Sequence, residues 1–133
     1  MKKRLLTIFL AIAIICTLIV GSASAASVYR TIGGKACTGS VSYNSTFTMV
    51  TASSSFPDAI ASEMIAKAYY SFTIDGIADT VTSKGRPAYD VTGTIYEYAS
   101  RPSSLATASS ATSRHTFSYN GTTININPGN IYP

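Results

Sequence analysis

From Leu5 to Val20 every residue but Thr7 and Thr17 is apolar, whereas beyond Lys35 apolar residues mostly alternate with polar ones. A nearly continuous run and a period-two pattern need different structures, so the chain divides into a leader and a body built of strands. From Cys37 to Met49 the odd positions Cys37, Val41, Tyr43, Phe47 and Met49 are apolar and the even positions are all polar. This predicts one long strand or two joined by a turn near Asn44-Ser45. A second alternation places Met64, Ala66, Ala68, Tyr70, Phe72 and Ile74 on one face. Asp75-Gly76, a dipeptide that tolerates the positive φ angles of a tight turn, then sends Ile77 to Thr82 back beside it. That register sets Ile74 against Ile77 and Tyr70 against Val81, and also Phe72 against Asp79.

Ser55, Pro57 and Asp58 offer a competing helix start, and Glu63 and Lys67 have helical ion-pair spacing. A short helix near 57–68, with Ile60, Met64, Ile65 and Ala68 as its stripe, is therefore the alternative reading. Ala88 to Tyr98 predicts a strand with Tyr89, Val91 and Ile95 on one face and Thr92, Thr94, Tyr96 and Tyr98 on the other. Asn120-Gly121 gives the clearest signal, a hairpin pairing Tyr119 with Thr122, Phe117 with Ile124 and His115 with Ile126. Ser103 to Ser113 is almost wholly Ser, Ala and Thr, and reads as an edge strand or a mobile connection. Six or seven strands separated by turn signals predict an all-β fold, a small antiparallel β-sandwich, with α+β as the alternative if 57–68 is helical.

The leader has the layout of a secretory signal peptide. Lys2, Lys3 and Arg4 precede the apolar run, and Ala23 and Ala25 frame an Ala-x-Ala cleavage site. The run is 16 residues long, short of the roughly 20 that a spanning helix needs. Residues 1–25 are thus expected to be removed, leaving 26–133 as a single secreted β domain without a membrane span. With no sorting motif in 127–133, the product is expected to be released, or held at the envelope by non-covalent contacts.

Removing the leader changes the charge argument. Three of the ten Lys and Arg residues lie in it and none of the six acids does. The body keeps seven cations against six anions, a net charge of +1, scattered singly. That gives no electrostatic footprint for nucleic acid. Only Cys37 remains of the two cysteines, so no internal disulfide can form; it is expected to be a buried apolar residue, or to link a dimer.

Catalytic chemistry finds little support. His115 is the only histidine, and the hairpin register places it on the apolar face, half-buried and structural. No Gly-x-Ser-x-Gly elbow and no carboxylate pair of defined separation is visible. Asp75 and Asp79 are too few ligands for calcium. No enzyme, cofactor or metal site is expected. The nine tyrosines are the more informative feature, since tyrosine joins contact area to a polar tip. Tyr69, Tyr96 and Tyr98 lie opposite the main apolar stripes and are the candidate binding surface. The expectation is a secreted, non-enzymatic, bacterial-type binding or cell-surface interaction module. Its partner would be a protein, a glycan or an envelope component. A bacteriocin or toxin-like factor acting on cell envelopes is the alternative, with a secreted hydrolase last.

Overall fold

The computed structural model describes residues 24–133. Leader residues 1–23, Ala23 among them, lie outside the described residues, whereas Ala25 opens the first strand. Seven strands follow: β1 (Ala25–Ile32), β2 (Lys35–Tyr43), β3 (Met49–Ile74), β4 (Ile77–Thr82), β5 (Ala88–Ser100), β6 (Thr107–Tyr119) and β7 (Thr122–Ile126). All pairings are antiparallel and belong to one sheet. The path runs β1-β2-β3-β6-β7, with β4 and β5 also hydrogen-bonded to β3.

β3 organises this arrangement. At strand rise its 26 residues would reach roughly 85 Å if straight, more than twice the roughly 35 Å diameter of a domain this size. It therefore has to bend. The bend falls between Phe56 and Ala61, where the register against β5 slips, and Pro57, which has no ladder donor, sits there exposed. β5 follows the bend with two left-handed residues, Asp90 (φ 51°) and Gly93 (φ 88°). The first half of β3 pairs with β2 and β5, and the second half with β6 and β4. The sheet thus curls into two layers whose inner faces pack on each other, with β2 approaching β6 and β1 approaching β7.

Two apolar clusters fill the interior. One gathers Val41, Val50, Ala52, Ala68, Tyr70 and Phe72. The other gathers Cys37, Phe56, Ala61, Met64, Phe117 and Ile126. Between them in register on each strand lie Gly39 on β2, Ser54 on β3, and Ser113 and His115 on β6, all buried. A polar layer therefore divides the core.

Both predicted hairpins form with the expected registers. Asp75 and Gly76 take φ 51° and 79°, and Asn120 and Gly121 take 49° and 76°, the doubly positive turn that matches strand twist. Asp79 does oppose Phe72, but it is exposed on the short β4 and its Oδ1 accepts from the Thr80 N–H at 2.7 Å. The carboxylate therefore stays in water.

The structure decides three readings that the sequence leaves open and corrects the facing of two residues. Residues 57–68 are strand, not helix: Ile60 is 63% exposed while Met64 is fully buried, so the supposed stripe does not share a face. Ladder bonds to β6 override the local helix signals. The run from Cys37 to Met49 is two strands joined by the expected turn near Asn44-Ser45, where Phe47 sits at φ 53°; after it, contrary to expectation, Val50 rather than Met49 points inward. From Thr107 onward the Ser103 to Ser113 stretch is strand rather than connection: it opens β6, pairs with β3 on one side and, short of β7, meets only the isolated Ala111–Ile131 bridge on the other, as an edge does; the small Ala111 sits opposite the bulky Tyr70. Tyr89 leaves the face shared by Val91 and Ile95, because Asp90 turns the backbone between them.

Candidate functional site

The grouping most like a catalytic set is internal. His115 Nδ1 lies 2.9 Å from Ser54 Oγ and its Nε2 lies 2.6 Å from Ser113 Oγ. The Ser54 hydroxyl donates to the Ile65 carbonyl at 2.8 Å, so it accepts from an Nδ1–H. The bare Nε2 then accepts from Ser113. All three residues are fully buried, and burial lowers His115 to about 4 from 6.5, so the ring is neutral at pH 7. With no exposed atom, the ring ties β6 to β3 inside the core. It is more buried than the half-buried position expected from sequence.

Cys37 is also inert. It is buried among apolar neighbours, its thiol donates to the Arg30 carbonyl at 3.4 Å, and desolvation pushes it up and away from the reactive thiolate. A disulfide to a second copy would require the sulfur to leave this position. Asp75 is used in its turn and Asp79 on its neighbour's amide. Among the described residues no group of three or more His, Cys, Asp or Glu side chains could hold a metal.

The outer faces carry the remaining chemistry. Tyr96 and Tyr98, on one side of β5, pair with Ser53 and Thr51 on the first half of β3 and are 57% and 52% exposed. Tyr69 lies on the outer side of the second half of β3, paired with Thr82 and Thr112. The three candidate tyrosines therefore stand on different layers and form two surfaces rather than one.

Tyr69 lies in an open groove of about 640 Å³. Lys67, two residues before it, reaches within 5.8 Å of the ring centroid, and the Arg114 guanidinium within 5.7 Å. Both cation–π contacts hold positive charge at the aromatic face. Lys67 and Arg114 are themselves direct ladder partners. Across the groove Asn125 and Asn127 use their side-chain oxygens internally. Asn125 accepts from Thr116 at 2.8 Å, and Asn127 from Thr112 at 3.1 Å and from the Gly129 amide at 2.8 Å. Their NH2 groups are thus left as the donors.

The 83–87 loop completes the wall. Ser83 fastens it by donating its amide to the Ala68 carbonyl and accepting the Ala68 amide on Oγ, both at 2.9 Å. This brings Gly85 against Lys67: a Cβ there would stand 3.0 Å from the lysine Cγ and Cδ, and φ is +61°. The glycine allows both the turn and the approach.

No protein-family model, curated protein or solved structure matches this chain. Its chemistry is therefore read from its own geometry.

Sequence reasoning found Tyr69 but not Lys67, Arg114, Asn125 or Asn127 as its neighbours. The Asn120-Gly121 hairpin already implied that Asn125 opposes Thr116. What was missing was the pairing of β6 with β3, which at Tyr69–Thr112 and Lys67–Arg114 joins residues more than forty positions apart and which no turn signal encodes.

Proposed function

We propose that this chain is a secreted, non-enzymatic β domain that binds a protein, glycan or envelope component at the cell surface through its outer sheet faces. The observation that carries this reading is the adjacent pair Tyr96 and Tyr98, each more than half exposed on an uncovered strand face. Two large rings left in water at neighbouring positions are typical of contact surfaces, where tyrosine supplies area at low entropic cost. The Tyr69 groove supports the same reading on the other layer. The burial of His115 and Cys37 leaves neither as an accessible nucleophile or base.

The test is retention of the purified protein on intact host cells, isolated envelopes and secreted host proteins, beside a variant in which Tyr69, Tyr96 and Tyr98 are changed to Ala and whose fold is verified. Retention by one fraction, lost in the variant, is the expected result. Absence of retention, or retention indifferent to the tyrosines, overturns the reading.

A further inference from the structure

We propose that the groove beside Tyr69 binds an acidic saccharide, a chain of sugars bearing carboxylate or phosphate groups; this rests on the binding-module reading and names its ligand class. Lys67 and Arg114 stand directly opposite each other in the β3–β6 ladder, where like charges are destabilising. Among the described residues no acid lines the groove to offset them. Glu63, the nearest acid before Lys67 on the same strand, is four residues away, roughly 13 Å at strand rise. Lys84 and Arg86 flank Gly85 in the loop that forms the wall. Two of the body's seven cations thus line one groove, and two more neighbour its wall residue Gly85 in sequence. An anion from outside the chain is the missing counter-charge.

The rest of the lining selects a sugar. A volume of about 640 Å³ lies within the roughly 300 to 1,000 Å³ typical of small-ligand sites and far exceeds a lone phosphate. A second depression of about 240 Å³ shares Tyr69, Arg114 and Asn127 with the first and continues past Ser71, Thr80 and Thr112. The site is therefore elongated; beside Ile65 and Ile126 its lining carries hydroxyl and amide groups, which suits successive units with both apolar ring faces and hydroxyls. Carboxylate or phosphate oxygens accept from the Arg114 guanidinium and the Lys67 ammonium. Sugar hydroxyls accept from the NH2 groups of Asn125 and Asn127.

The test is calorimetric titration of the purified protein with tetragalacturonate, a phosphomannan oligosaccharide, maltotetraose, inorganic phosphate and a single-stranded oligonucleotide. Binding of either acidic sugar should exceed that of every other probe by about tenfold or more. It should weaken at least about tenfold in Lys67→Gln/Arg114→Gln and remain unchanged in the charge-matched Lys35→Gln/Arg101→Gln, two cations outside the groove lining. The two acidic sugars separate carboxylate from phosphate recognition. Binding of neither, equal binding by the Lys67/Arg114 variant, or a preference for phosphate, neutral sugar or oligonucleotide overturns the proposal. Tyrosine-dependent retention on envelopes without acidic-sugar binding removes this proposal and leaves the binding-module reading standing; loss of both removes both.

Discussion

Gly39 on β2 and His115 on β6 compete for one space: a Cβ built on Gly39 falls within 2.6 Å of His115 Cγ and 3.1 Å of Nε2. The missing side chain on one strand is what admits the imidazole from another. The ring then takes its two hydroxyl partners from β3 and β6. The polar layer is therefore a steric fit as much as a hydrogen-bond set.

Gly39→Ala should cost about 1–3 kcal/mol through overpacking. The cost should shrink towards zero in a His115→Ala background, since the two sites are in contact. Urea denaturation of the four proteins of this cycle measures the coupling. Equal costs in both backgrounds would contradict the fit.

Stability should also fall in acid because of His115. Burial holds the folded ring at about 4 while the unfolded ring titrates near 6.5. Between those values the unfolded chain binds a proton that the folded chain refuses. The contribution is fully present above pH 6.5 and declines as pH falls towards 4, by about 3 kcal/mol in all. Urea midpoints from pH 4.5 to 7.5 should show this slope in the native protein and lose most of it in His115→Gln.

Two buried tyrosines should respond oppositely to loss of the hydroxyl. Tyr70 Oη donates to the Phe47 carbonyl at 2.7 Å, whereas Tyr43 Oη is buried with no partner among the described residues. Tyr70→Phe should cost about 1 kcal/mol, while Tyr43→Phe should be neutral or stabilising. Thermal unfolding of the two variants decides this.

Lys67→Glu should stabilise the fold by a few tenths of a kcal/mol by turning a like-charge ladder pair into an opposite one. Salt should reduce the gain. Melting temperatures in low and high salt check the prediction. A melting temperature below that of the native protein in low salt would contradict the account of this pair.

What was legible in the sequence was local. Asp75-Gly76 and Asn120-Gly121 determine their own turns, and period-two alternation then fixes which residues oppose which, down to Phe72 against Asp79. β3 was hidden because Pro57 and the Glu63–Lys67 spacing mimic a helix start. Only the ladders on both sides of the strand, supplied by distant segments, outweigh that preference. β1, where Val28 and Ile32 are half-buried and buried among more exposed neighbours, was missed because so short an alternation carries little signal. The candidate site was legible one residue at a time. Tyr69, Tyr96 and Tyr98 were found as outward-facing, but their separation onto two layers follows from the bend at Phe56 to Ala61.

The measurement that bears most directly on the binding reading is the NMR spectrum of the protein, with its tyrosine rings isotopically labelled, during addition of solubilised host envelope fragments. The account predicts that the signals of Tyr96, Tyr98 or Tyr69 broaden or shift while those of the buried Tyr43 and Tyr70 stay in place. Unchanged signals from all three outward tyrosines, or changes confined to the buried pair, would contradict it.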